Sequence, residues 1–311
     1  MDSYEPAYLT LLRSGELAAR VEQARAALHD CQLCAWMCRV DRTRRVGFCR
    51  TGQDAIVSSA FPHRGEEDPL SGWFGSGTIF FSNCNLRCQY CQNYEISQQG
   101  EGIVVSAERL ADMMLRLQAA RCHNINFVSP SHVIPQIIEA VYLAAQQGLK
   151  LPLVYNTGGY DSLEGLALLD GIIDIYMPDM KYSDPAIARR FSKIRDYPAH
   201  NWAAVREMHR QVGDLTLDEH GIARRGLLVR HLVLPGGLAG TAEIVRFLAD
   251  EISPNTYINI MGQYHPAWRV RERNLPPLNR PVRPDEVAAA RKLAEDAGLR
   301  LDRRRLQAAW F

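Results

Sequence analysis

No stretch of the chain approaches the roughly 20 consecutive apolar residues that a membrane-spanning helix needs. Nor does one sign of charge prevail. The 36 Lys and Arg stand against 35 Asp and Glu, a formal charge of +1, so no broad positive field exists to hold polyphosphate. Neither a nucleic acid nor a membrane is an expected partner. The opening MDSYEPAYLTLLRSGELAAR lacks a basic start followed by an apolar run, which makes a cytoplasmic location the expectation. With 47% hydrophobic and 23% charged residues the composition excludes a disordered or fibrous protein. At 311 residues the chain exceeds one ordinary core, which predicts one large domain with appendages or two domains.

Cysteine is what the sequence does have, and it is clustered. Cys31, Cys34, Cys38 and Cys49 are spaced C-x2-C-x3-C-x10-C; Cys84, Cys88 and Cys91 are spaced C-x3-C-x2-C; Cys122 stands alone and reads as a small core residue. A disulfide framework belongs to short secreted chains, so thiolates converging on metal are the preferred reading of both clusters. Four thiolates close a tetrahedral zinc site or a four-iron cluster, as a structural site requires. Three thiolates on a cubane leave one iron free for an exogenous molecule. The second cluster is therefore the candidate reaction centre and the first the candidate staple.

The run Gly77-Thr78-Ile79-Phe80-Phe81 reads as a buried strand, and the three cysteines follow it in the loop at its C-terminal end, where α/β folds place their active sites. CNLRCQYC, with Tyr90 before the last cysteine, resembles the radical S-adenosylmethionine (SAM) signature. The longer string GSGTIFFSNCNLRCQYCQNYEIS is similar to the branch related to pyruvate formate-lyase activating enzyme, within it to the subgroup with an N-terminal four-cysteine segment. The resemblance implies a [4Fe-4S] cluster on Cys84, Cys88 and Cys91, with SAM bound to its open iron. One electron then cleaves the sulfonium bond and yields a 5'-deoxyadenosyl radical that abstracts hydrogen. It also implies a one-electron reductant such as flavodoxin or ferredoxin as partner. By analogy with the activating enzymes, the substrate is a backbone glycine of a partner protein. A peptide or small metabolite is the alternative, and a noncatalytic metal-binding or electron-transfer protein is a third reading from another class.

From residue 76 to about 262, strand-like and helix-like runs alternate as in βα units. Strands are expected at 77–82, 124–128, 152–156, 172–177, 227–234 and 256–261. An N-terminal helix is expected within 5–30, and helices capped by Ser106 and Ser131, then over Pro198–Val212, Thr241–Ile252 and 284–297. Six units match the partial (β/α)6 barrel that the resemblance implies, with a four-cysteine module before it and a C-terminal helix after it. The divisions are 1–70 for the N-terminal helix and metal module, 71–273 for the barrel, and 274–311 for the proline-rich link NLPPLNRPVRP and the last helix. Trp310 and Phe311 near the end read as packing residues. The basic run RVDRTRRVGFCR around the knot reads as a solvated loop face, ahead of a role for Arg42, Arg44 and Arg45 in offsetting thiolate charge.

Strand ends should present groups that hold SAM. The resemblance assigns that role to Met177, Asp179 and Lys181 (a D-x-K motif and the methionine before it), to Thr157 beside Asn156, to Arg230, and to His265 at the adenosyl ribose. Asn156 stands where the family usually has aspartate. Tyr90 and Tyr94 are expected to shield or adjoin the cluster. The family's G-G-E-P motif is missing: Val128-Ser129-Pro130-Ser131-His132 occupies its place, so Ser129 or Ser131 is left as a weaker, neutral acceptor for the amino group. His132 reads equally as a substrate or acid/base contact and as a first-turn helix residue. The N-terminal site is expected to be fully ligated and structural, with zinc and a second iron–sulfur cluster both open.

Overall fold

The structure, a computed structural model, describes residues 4–302. Trp310 and Phe311 lie outside them. Ten strands form one sheet: β1 (Ala55–His63), β2 (Ser76–Phe81), β3 (Ile103–Val105), β4 (Ile125–Val128), β5 (Leu153–Thr157), β6 (Ile175–Pro178), β7 (Thr216–Leu217), β8 (Ala223–Leu232), β9 (Tyr257–Met261) and β10 (Arg300–Leu301). The spatial order is β10-β9-β8-β6-β5-β4-β2-β1-β3, with β7 beside β8. All six expected strands sit next to one another and run parallel, β2-β4-β5-β6-β8-β9. This is a mixed α/β fold with a largely parallel open sheet, a partial (β/α) barrel. Their C-terminal ends therefore share one rim.

The strands alternate between two environments, as a period of two requires. Ile79, Phe81, Ile125, Phe127, Tyr155, Tyr176, Val229 and Ile258 pack in the main core with the helices. Val154, Ile175, Met177, Leu228 and Tyr257 form a separate apolar cluster with Leu70 on the opposite, inner face. The helices are α1 (Ala7–Ser14), α2 (Glu16–Ala26), α3 (Asp68–Ser71), α4 (Ala107–Ala119), α5 (Ile134–Gln146), α6 (Leu163–Leu169), α7 (Pro185–Ser192), α8 (Tyr197–Val212), α9 (Thr241–Phe247), α10 (Trp268–Arg273) and α11 (Pro284–Asp296). In α5 the residues Ile134, Ile137, Ile138 and Val141 are fully buried, and each such side chain contributes about 1.5–3 kcal/mol.

Several expectations are corrected. The N-terminal helix is two helices, broken at Gly15, whose left-handed backbone (φ 81°) ends the first. Ser131 does not cap α5; Val133 holds that position, and the Ser131 hydroxyl pairs instead with Thr157 Oγ1 at 2.9 Å. Ser106 does cap α4, accepting from Arg109 N. The strand expected over 172–177 starts at Ile175, because Ile172 and Ile173 close the turn after α6. The strand expected over 227–234 starts four residues earlier, because Ala223 and Arg225 pair with β7. Thr241–Ile252 is helical only to Phe247 and continues as one wider π turn, Leu248–Ile252. Cys122 is buried in the main core.

Candidate active site

The loop after β2 begins at Asn83 with φ 68°, a left-handed conformation that asparagine tolerates better than most residues. It is pinned to the end of α7. The amides of Arg87 and Gln89 donate to the carbonyls of Ser192 (3.2 Å) and Phe191 (2.8 Å), and Gln89 Nε2 donates to Arg190 O (2.6 Å). Every cysteine is a free thiol. Cys84, Cys88 and Cys91 line one cavity of about 300 Å³ together with Tyr90, Ser129, Asn156, Thr157, Asp179, Lys181 and Arg230. Each sulfur has a polar neighbour: Leu86 N donates to Cys84 Sγ (3.4 Å), Ser192 Oγ donates to Cys88 Sγ (3.0 Å), and Ser97 Oγ lies 3.1 Å from Cys91 Sγ. Burial pushes the Cys84 thiol up to about 12, and burial also raises Cys88. Tyr90 stands beside them, its hydroxyl 2.6 Å from that of Tyr182, which is 2.8 Å from Ser192 Oγ.

In the same cavity the ends of β5, β6 and β8 carry one charge-linked chain. Arg230 donates through Nη2 to Asn156 Oδ1 (2.7 Å) and through Nε to Asp179 Oδ1 (2.9 Å), while Lys181 Nζ donates to Asp179 Oδ2 (2.6 Å). Strand pairing brings these groups together: Asp179 bridges Arg230, and Asn156 lies opposite Met177. Burial pushes the Asp179 carboxyl up, but Arg230 and then Lys181 outweigh it and hold the group below its ordinary value. Lys181 is raised despite burial, through Asp179 and then Cys88.

The remaining candidates separate. Thr157 lines the cavity, but its hydroxyl is taken up by Asp161 Oδ2 (2.7 Å), Ser131 Oγ and the Gly159 amide. Ser129 is on the cavity wall with a left-handed φ of 58°. Met177 is fully buried in the inner apolar cluster and does not line the cavity. His265 is exposed; it lines an adjoining cavity of about 330 Å³ with Tyr94 and Trp268, and its Nδ1 lies 3.2 Å from Gln92 Nε2. Gln92 lines both cavities. His132 is buried away from either, its Nε2 3.0 Å from Ser82 O, and burial pushes it down to about 3, so it stays neutral.

Three polar residues not singled out in the sequence lie on the inner side of the barrel. Glu66 Oε2 comes within 3.8 Å of Arg230 Nη1, and Glu67 Oε1 accepts from Asn259 Nδ2 at 2.9 Å. Burial pushes Glu66 up to about 7 against the pull of Arg230, with the neighbouring Glu67 and Asp179 charges adding to the rise. Asn126 sits between Ile125 and Phe127, which face the helices, so it faces inward; it is fully buried, and neither amide atom has a partner among the described residues. No sequence motif marks these residues: Glu66 and Glu67 meet the site only through the loop after β1, and Asn126 is a single polar position within β4.

The N-terminal knot packs directly on the cysteine loop. Trp36 Nε1 donates to Asn85 O (2.6 Å), Arg87 Nη2 donates to Phe48 O (2.7 Å), and the Trp36 and Phe48 rings stack. Cys31, Cys34 and Cys49 are buried and Cys38 half-buried, with Gly47 between the sulfurs of Cys38 and Cys49. Among the described residues, no three His, Cys, Asp or Glu side chains are gathered as one metal ion requires. Arg44 and Arg45 are exposed, as expected of a solvated face, but Arg42 is not: it is 1% exposed, donates to His132 O (2.6 Å) and Gly52 O (2.7 Å), and reaches Cys31 Sγ at 4.0 Å. Its guanidinium is needed inside, where two loop carbonyls would otherwise be buried without donors.

A partial parallel barrel with three free thiols on the loop after its first parallel strand, in one cavity with charged strand ends, defines an enzyme class built around a thiol-held group. Residues 78–263 match the Radical SAM superfamily, and the chain belongs to it. An uncharacterized protein from Methanocaldococcus jannaschii is 29% identical over 308 residues, covering 96% of this chain and 84% of its own. A radical SAM methyltransferase from Sphaerobacter thermophilus is similar in structure (TM-score 0.48, 13% identity), with 72% of this chain and 65% of that one covered. Streptococcus suis SuiB is a second such structure (TM-score 0.45, 12% identity, 71% and 46% covered). This chain thus spans less than two thirds of either solved chain. Membership implies a [4Fe-4S] cluster and SAM. Among the described residues no helix is long and apolar enough to cross a membrane.

Proposed function

We propose that Cys84, Cys88 and Cys91 hold the cluster and that the protein reductively cleaves SAM for hydrogen abstraction, as an activating enzyme acting on a backbone glycine of a partner protein. The observation that carries the reading is one cavity lined both by three free thiols and by the Asn156–Arg230–Asp179–Lys181 chain. Three thiols on one cavity wall suit a cubane, which takes its ligands at separate corners and keeps one corner for another molecule. When bound, the cluster supplies the electron that breaks the sulfonium bond of SAM. The chain's residues do the rest. Arg230 and Lys181 offer charge-assisted donors to the SAM carboxylate, and Asp179 offers an acceptor to its ammonium. Ser129 and Asn156 add neutral acceptors, while Thr157 acts by fixing the loop rather than with a free hydroxyl. His265 serves the adenosyl end from the adjoining cavity; Met177 acts from behind, by packing, and Tyr90 from the cavity lining beside the thiols.

Anaerobic reconstitution, reduction with dithionite and measurement of 5'-deoxyadenosine and methionine test the cleavage. Wild type should form both, and Cys84→Ala, Cys88→Ala and Cys91→Ala neither. Absence of cleavage by a wild-type protein with its iron bound would sink the reading. For the activase role, a glycyl signal in electron paramagnetic resonance should appear only with a protein substrate. A small metabolite is the second reading, favoured by the unpartnered Asn126 amide inside the barrel; fast turnover of such a molecule would replace the activase role. For the knot we propose a fully ligated, structural second metal on Cys31, Cys34, Cys38 and Cys49, zinc or iron–sulfur. Metal analysis of wild type against Cys31→Ser decides which, and loss of SAM cleavage with the fold intact would refute a purely structural site.

A further inference from the structure

Reduction of the cluster requires a donor to dock close to it, since electron tunnelling falls steeply with distance. We infer that the exposed face formed by Arg189, Arg190, Lys193 and Arg195 is the docking surface for an acidic one-electron donor protein. This rests on the proposal that Cys84, Cys88 and Cys91 hold the cluster. The four cations line one shallow surface depression with Pro185 and Ala186. All four are exposed, and among the described residues none forms an ion pair. Arg190 lies over the Phe191 ring (4.7 Å) and donates to Pro276 O, and Lys193 donates to Arg190 O; these partners leave the charges unneutralised. The two nearby acids also bond to neutral groups and keep their charge: Asp184 caps α7 at Ala186 N, and Asp196 accepts from Tyr160 and lies beside His200. In a chain with a net charge of only +1, four cations against two acids over 184–196 are still a local excess.

Three of them have a simpler explanation. Arg189 and Arg190 fall in the last turn of α7, where cations offset the helix dipole. Lys193 caps the same helix and donates to the last-turn carbonyl of Arg190, whereas Arg195 lies clear of it. What distinguishes the patch is its connection inward. Ser192, between Arg190 and Lys193 in the chain, donates its hydroxyl to Cys88 Sγ at 3.0 Å, and its carbonyl accepts from Arg87 N. The basic surface and a proposed cluster ligand are thus one hydrogen bond apart. Steering by complementary charge raises association rates and aligns the donor over this path. The step itself moves one electron: the donor is oxidised by one, the cluster reduced by one, and no bond forms.

Flavodoxin, an acidic one-electron flavoprotein, is the probe. Its affinity for the reconstituted full chain is measured by calorimetry at low and moderate salt, and cluster reduction by its hydroquinone is followed by absorbance. Arg189→Glu/Lys193→Glu and Arg195→Glu should weaken binding roughly tenfold and slow reduction in step, with a flattened salt dependence. Dithionite-driven SAM cleavage should stay at the wild-type rate, which also shows that the variants fold. An Arg109→Glu/Arg116→Glu control on α4 should change nothing. Unchanged affinity in the α7 variants, an equal loss in the α4 control, or tighter binding of a single-stranded oligonucleotide to the patch would overturn the assignment. Failure of dithionite to drive cleavage in wild type would instead defeat the catalytic reading, while the affinity measurements would still decide the surface.

Discussion

At the scale of single residues, Asp179 holds two cations at once, and its side chain is 15% exposed against 18% for Arg230 and 17% for Lys181. An exposed ion pair is worth at most about 1 kcal/mol, but removing one partner of a buried set leaves uncompensated charge and costs about 3–5 kcal/mol. Asp179→Ala is therefore expected to lower the stability of the metal-free protein by about that larger amount, read from the urea midpoint. A loss below 1 kcal/mol would mean that water reaches the pair. Glu66 makes a prediction in pH. Its carboxyl, ordinarily at 4.5, is pushed up to about 7, so in that window the folded chain keeps a proton that the unfolded chain has released. Stability should fall as pH rises between the two values, by up to about 1.4 kcal/mol per unit, and stay flat with respect to this group above the higher one. Glu66→Gln should remove that slope from the pH dependence of urea unfolding.

At the scale of elements, two glycines with similar backbones should behave differently. Gly15 (φ 81°) has open space where a Cβ would go, so Gly15→Ala should cost about 1–2 kcal/mol, the left-handed penalty alone. At Gly159 (φ 76°) a Cβ would overlap Asn201 Nδ2 and the Asp179 carbonyl, so Gly159→Ala should cost more than about 4 kcal/mol and displace Asp179. Thermal melting of both variants checks the ranking. The parallel strands could be read because they are short apolar runs between glycine, proline and helix signals, as with Ile79-Phe80-Phe81 and Leu153-Val154-Tyr155. The strand β1 could not. Its sequence AIVSSAFPH contains Pro62, and β3 pairs only with Ala55–Val57, so the rest has a free side where a missing N–H is tolerated. The Gly15 break was hidden by apolar residues that keep helical spacing on both sides of it. Ser131 resembled a cap because its alternative partner, Thr157, lies 26 residues away.

At the scale of the whole molecule, the site draws on strand ends far apart in sequence. Spacing alone marked the cysteines as ligands. Asn156, Asp179, Lys181 and Arg230 were marked by family resemblance, and the parallel order of the sheet brings them to one cavity wall. Met177 illustrates the limit. Two residues before Asp179 on β6, it shares the inward face but sits one layer deeper, among apolar side chains. Glu66 was invisible because its approach to Arg230 depends on a loop closing across 164 residues of chain, and Arg42 because a run of basic residues says nothing about which one turns inward. Arg87 ties the two cysteine-bearing loops together, one terminal nitrogen on the Cys84 carbonyl and the other on that of Phe48, next to Cys49. Mild alkylation of half-buried Cys38 should therefore raise the labelling rate of Cys84 in wild type but not in Arg87→Ala, as followed by peptide mass spectrometry. The two loops would then age as one: oxidation of the thiols on either loosens the grip on its neighbour, and repair of just one leaves the pair still half broken.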